Sequence, residues 1–120
     1  MDAINVGMKS IYERPDRSDG MRVLITQYWP RGIPHEAVDE YLRVLAPSRP
    51  LLQSFRDGIL DWERYKNQYL REMTGEAQRA AIHRLAKLAR SERLTVICVC
   101  KDADRCHRSL LRDLIMRFDE

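Results

Sequence analysis

Apolar positions along the chain follow two rhythms. Residues 4–12, "INVGMKSIY", alternate loosely and are rich in β formers, the two-residue period of a strand. "MRVLITQYW" has a continuous apolar core at Val23, Leu24 and Ile25, which predicts a buried strand. Pro30 ends it, because proline cannot donate to a ladder. "LTVICVC" is apolar or β-branched throughout and predicts a central strand covered on both faces.

Elsewhere the period is helical. Pro34 suits a first turn, Glu36 complements the N-terminal dipole, and Val38, Tyr41, Leu42 and Leu45 keep helical spacing up to Ala46, before Pro47. "LLQSF" predicts one short helical turn ended by Gly58. Asp61 is an N-cap for "WERYKNQYLREM", whose Trp62, Tyr65, Tyr69 and Met73 make one aromatic stripe suited to the core. Thr74 caps "GEAQRAAIHRLAKLAR", with Ala77, Ala81, Leu85 and Leu88 inward and Arg79, His83, Lys87 and Arg90 opposite. That basic stripe is either a solvated face or a phosphate contact. Asp102 or Asp104 caps a last helix that buries Leu110, Leu111, Leu114, Ile115 and Phe118.

Strands separated by helices predict a small α/β layer structure with a short, mainly parallel central sheet flanked by helices. Three strands are clear, leaving room for a fourth or for a second protomer to cover apolar surface. The 120 residues suit a single α/β domain, 1–120. With 44% hydrophobic and 32% charged residues, the composition is that of a soluble globular chain. No apolar run approaches the ~18–20 residues that span a bilayer, so no membrane role is expected. "MDAINVGMKSIYE" carries no signal-peptide pattern, which points to the cytoplasm, and all three cysteines lie in one segment, which argues against a disulfide framework. The net charge of +3 does not by itself predict nucleic-acid binding.

The chemistry concentrates in "VICVCKDADRCHRSLL". Cys98 and Cys100 point to one side of their strand, while Cys106, His107 and Arg108 sit in the first turn of the next helix. Ligands of open α/β sheets lie beyond the carboxyl ends of the strands, where free N–H groups attract anions and lower thiol pKa values. A zinc site is disfavoured, because C-x-C-x5-C-H lacks knuckle pairs and adjacent ligands diverge around a helix. A phosphatase-like loop is disfavoured too: Arg105 and Arg108 miss the register and no glycine lets the backbone curl. Two readings stay open. In one, His107 and Arg108 contact an anionic or nucleotide-like ligand, with Cys98 or Cys106 assisting as a thiolate. In the other, the cysteines are small core residues and His107 and Arg108 cap or bridge.

"QYWPRG" ends the other confident strand. If the two strands are parallel neighbours, Tyr28, Trp29 and Arg31 stand beside His107 and Arg108, and such a pocket suits a base, a ring or a phosphate.

"SIYERPDRSDGMRVLITQYWPRGIP" and "LTVICVCKDADRCHRSLLRDLI" resemble the small single-domain subgroup of the bacterial domain of unknown function family 488. The "WPRG" loop and the Cys-x7-Cys-His-Arg pattern carry the resemblance, which runs from about Ile4 to Phe118. It implies a compact, Rossmann-like α/β fold and a site using Trp29, Arg31, Cys98, Cys106, His107 and Arg108. Many members have an acid before the "WPRG" loop where this chain has Thr26 and Gln27. Cys100 stands where many carry an acidic or small residue. The resemblance sharpens the site and leaves the reaction open.

The expectation is an enzyme-like pocket for an anionic, nucleotide or nucleic-acid-related ligand. Arg31 and Arg108 would hold charge, Trp29 or Tyr28 would stack, and His107 would move a proton. No cofactor or metal is expected. The alternatives are a non-catalytic nucleic-acid or protein binding module, and a thiol redox or metal sensor.

Overall fold

Four parallel strands make one sheet: Val6–Ser10 (β1), Met21–Leu24 (β2), Glu40–Tyr41 (β3) and Leu94–Cys98 (β4), in the order β1-β4-β2-β3. This computed structural model describes residues 6–99 and 106–118. β4 lies between β1 and β2, and all five of its residues are buried, as its unbroken apolar sequence requires.

Alternation divides the sheet's side chains between two faces. Val6, Val23, Leu94, Val96 and Cys98 join a large core with residues of four helices: Arg49–Arg56 (α1), Trp62–Glu72 (α2), Glu76–Ser91 (α3) and His107–Arg117 (α4). Leu24 and Ile97 join a smaller cluster with Ile11, covered by Trp29, Ile33, Val38 and Tyr41. Thus the helices gather on one face, and the segment after β2 covers the other.

The helix ends follow local chemistry. Ser48 caps α1 by accepting from the Leu51 N–H, and Pro50 stands in its first turn, where a missing N–H costs nothing. Asp61 caps α2 through the Arg64 N–H at 2.9 Å. Tyr65, Tyr69 and Met73 are buried, so the aromatic stripe is core. Gly58, at φ +75°, turns the chain between these helices in the left-handed region that glycine favours.

Several expectations are corrected. Residues 34–46 are not a helix. They form a 3-10 turn at His35–Ala37, the edge strand β3 and a second 3-10 turn at Arg43–Leu45. Val38 and Tyr41 pack on the loop-covered face while Leu42 and Leu45 pack on the helical face, so helix-like spacing arises from a chain crossing the sheet edge. β2 stops at Leu24, well before Pro30. Thr74 does not cap α3: its hydroxyl donates back to the Arg71 carbonyl at 2.6 Å, and Gly75 holds the cap position. Ala77 is exposed, and Ile82, Leu85, Ala86 and Ala89 are the buried side of α3. The expected caps at Asp102 and Asp104 lie outside the described residues, as does Cys100.

An ionic knot ties the strands together. The buried Asp19 carboxylate accepts from Lys9 of β1 at 2.9 Å, from Arg22 of β2 and from the Asp16 N–H at 3.0 Å. Its carbonyl accepts the Thr95 hydroxyl of β4 at 2.7 Å. Burial alone would raise this carboxyl, but the donors outweigh it and hold it below its ordinary value. Beside it Gly20 has φ +64°, and a Cβ there would come within 2.2 Å of the Arg93 carbonyl oxygen, so only glycine fits.

Candidate functional site

β4 and α4 deliver two thiols to one point. Cys98 ends β4 and Cys106 holds the cap position of α4, with their Sγ atoms 2.9 Å apart and both residues buried. Arg108 Nη1 donates to Cys98 Sγ at 3.5 Å. His107 Nε2 lies 2.6 Å from the Ile25 carbonyl oxygen, which can only accept, so this nitrogen donates. Nδ1 lies 3.7 Å from Cys106 Sγ. Tyr69 meets the imidazole edge-on, centroids 5.6 Å apart, and donates its hydroxyl proton to the Leu45 carbonyl at 2.8 Å. Burial pushes the Tyr69 phenol well above its ordinary value, so it stays neutral.

A hollow of about 210 Å³ opens at the carboxyl ends of the strands. Tyr12 lines it just beyond β1, Thr26 to Pro30 just beyond β2, and Val99 just beyond β4. Leu52 and Arg56 of α1, with Pro47, close it from the side, and His107 stands at its inner wall. Parallel strands separate at this end, which is why α/β sheets place ligands here.

The loop that forms the wall is pinned by its own side chains. Thr26 Oγ1 donates to the Tyr28 carbonyl at 2.7 Å, and Gln27 Nε2 donates to the Pro47 carbonyl at 3.0 Å. Trp29 Nε1 donates to the Ile33 carbonyl at 2.9 Å, and its ring rests against His35 and Tyr41. Tyr28 is 52% exposed, and the Arg49 guanidinium lies 5.4 Å from its ring centre.

Of the residues expected at the site, Tyr28, Trp29 and His107 line this hollow together. Arg31 does not line it and is exposed just past Pro30. Arg108 is turned away, 2% exposed, with its guanidinium at Cys98. The two cysteines lie behind His107, not on the wall. Arg56 is the cation on the wall, and sequence reasoning missed it. The available signal was weak: Arg49, Leu52 and Arg56 share a helical face, but nothing local aims that face at the "WPRG" loop. No carboxylate lines the hollow among the described residues, in keeping with Thr26 and Gln27 standing where the resemblance has many members carrying an acid. No group of three potential ligands gathers for a metal among the described residues. No helix among them is long and apolar enough to cross a membrane. On α3, Arg79, Lys87 and Arg90 are exposed while His83 stacks on Phe118 at 5.1 Å.

The chain is similar to the uncharacterized protein YeaO of Escherichia coli (strain K12), 32% identical over 112 residues that cover 92% of this chain and 96% of that one. It is also 27% identical over 112 residues to the uncharacterized proteins Mb3100c of Mycobacterium bovis and Rv3073c of Mycobacterium tuberculosis (strain H37Rv), with 92% of each chain covered. No solved structure matches it. The DUF488-N3a family, described as the active DUF488-N3 subclade, matches residues 6–118, which hold both the "WPRG" wall and the Cys-His-Arg junction, and the chain belongs to this family.

Proposed function

We propose that the hollow is an active site for a planar, negatively charged ligand of nucleotide type. One observation carries the reading: three aromatic rings, one arginine and one imidazole converge where three parallel strands end. At about 210 Å³ the space falls below the ~300–1,000 Å³ of drug-sized pockets, which suits one ring and its first phosphate. Tyr28 and Trp29 offer faces for stacking, and Arg56 offers a fork for phosphate. His107 is the proton carrier. Its Nε2–H is held by Ile25 and its Nδ1 faces the Cys106 thiol, so proton exchange with a ligand needs the ring to turn from one of these partners. The cytoplasm, where thiols stay reduced, is the compartment that goes with this reading.

The test is a titration of nucleoside monophosphates against tryptophan fluorescence in a Trp62→Phe background, where Trp29 is the sole reporter. Saturable quenching is expected, weakened at least ~10-fold by Arg56→Gln, the loss of a charge-assisted contact of about 1.5–3 kcal/mol. No quenching by any nucleotide ends the reading.

The sulfur pair favours a second reading, thiol redox sensing. A small-molecule disulfide would accept two electrons: Cys106 thiolate attacks it and expels one thiolate. Cys98 then attacks the mixed disulfide, expels the second, and leaves a Cys98–Cys106 bond, with two protons released. Oxidised glutathione should give a Cys98–Cys106 linked peptide in mass spectrometry. A thiol pair still fully alkylated by iodoacetamide after that treatment removes this option.

A further inference from the structure

Four arginines stand around the mouth of the hollow. Arg56 is on its wall, and Arg31 follows the wall residue Pro30. Arg43 Nη2 donates to the wall residue Gln27 at 3.2 Å, and Arg49 lies over the Tyr28 ring. All four are exposed, and none is paired with a carboxylate among the described residues. Three cations elsewhere are neutralised by carboxylates, Arg22 and Lys9 by Asp19 and Arg84 by Glu40. Other exposed cations such as Arg79 and Lys87 also lack one among the described residues. What sets the four arginines apart is their place beside the aromatic wall. The nearby acids are engaged with neutral donors, Asp57 with Gln53 and Glu72 with Ser48.

These cations are spread rather than convergent. Arg49 and Arg56 are seven residues apart on α1, about 10 Å at 1.5 Å per residue. Arg31 and Arg43 come from the loop after β2 and the turn after β3. One phosphate needs only one such fork. A ring of four suits a row of phosphates passing across the opening while one base enters it.

We infer that the ligand is a single-stranded nucleic acid, one base stacked in the hollow and its flanking phosphates held by Arg31, Arg43 and Arg49. This rests on the nucleotide reading of the hollow and names its substrate class. A duplex would keep its bases stacked inside, out of reach of a wall formed by Tyr28 and Trp29. Exposed Tyr28 beneath Arg49 is the combination of ring and cation that tracks unpaired strands.

The experiment compares a fluorescein-labelled oligothymidylate about ten nucleotides long with thymidine monophosphate, using anisotropy and Trp29 quenching across salt. The oligomer should bind at least ~10-fold tighter, with a log–log salt slope of about −2.8, about −0.7 for each of four phosphates. Arg43→Gln with Arg49→Gln should make that slope shallower by about 1.4 and weaken the oligomer ~10-fold or more, while the mononucleotide changes far less. Both positions are exposed, so an unchanged melting temperature shows that the variant is folded. If the mononucleotide binds and the oligomer binds no tighter, the strand inference is overturned and the pocket stands. Oligomer binding that survives this variant, or that is lost instead on Arg79→Gln with Arg90→Gln, overturns it too. Equal binding of polyglutamate would reduce the ring to unspecific charge and has the same consequence. Binding of neither nucleic-acid probe rejects both readings.

Discussion

The protein uses arginine in two opposite ways at two ends of one sheet. In the Asp19 knot, Arg22 is buried, fixed by Asp19 and by the Ala37 carbonyl, and shares its carboxylate with Lys9. At the mouth of the hollow, Arg31, Arg43, Arg49 and Arg56 are exposed and have no carboxylate among the described residues. A cation whose charge is answered inside the chain serves the fold. A cation left facing water beside an aromatic wall is available to something from outside. Residue type alone does not separate the two; the partner does.

Breaking the knot should have the largest effect. Asp19→Ala leaves a buried guanidinium without its carboxylate and should cost about 3–5 kcal/mol, measured by urea denaturation. A cost below ~1 kcal/mol would mean water reaches the knot freely. Acid should do the same reversibly. Asp19 is held below its ordinary value of 3.8, so it stabilises the fold at neutral pH, and that contribution is lost as pH falls through its lowered pKa. The stability gap between the natural chain and Asp19→Asn should therefore be full at pH 7 and close below 3.8. Thr95→Val removes the donor to the Asp19 carbonyl and should cost about 1–3 kcal/mol by the same assay. At the other end, Gln in place of Arg31, Arg43, Arg49 or Arg56, one at a time, should shift stability within about ±0.5 kcal/mol. A larger loss at any of the four moves that residue to the structural side of the comparison.

The sequence was most legible where one physical demand acted alone. An apolar, β-branched run can only be a buried strand, and "LTVIC" is the centre of the sheet. Trp62, Tyr65 and Tyr69 at helical spacing behind an Asp61 cap could only be a helix with a buried side. Residues 34–46 were misread because two demands overlapped. Val38 and Leu42 each bury a side chain, but on different faces of the sheet, and a one-dimensional pattern cannot show which face. The site was half legible for the same reason. Tyr28 and Trp29 follow the end of β2 and His107 opens the helix after β4, and the meeting of these two junctions follows from parallel pairing. Arg56 is carried by a helix whose docking is decided by Phe55 stacking on Tyr65 at 4.2 Å, a tertiary contact with no local signature. Arg108 was expected to face a ligand, yet its place beside Cys98 depends on the turn of α4 against β4.

The strand order has a consequence for how the chain is made. β1 and β2 leave the ribosome early, but in the finished sheet they do not touch; each pairs with β4, which emerges some seventy residues after β2. Neither can complete its ladder during synthesis until Leu94–Cys98 slides between them. Pairings so distant in sequence form slowly and leave strand edges open meanwhile. The chain thus carries two unfinished edges until late in its synthesis, and before the keystone arrives only local pieces such as the β2–β3 pair and the helices α1 to α3 can settle.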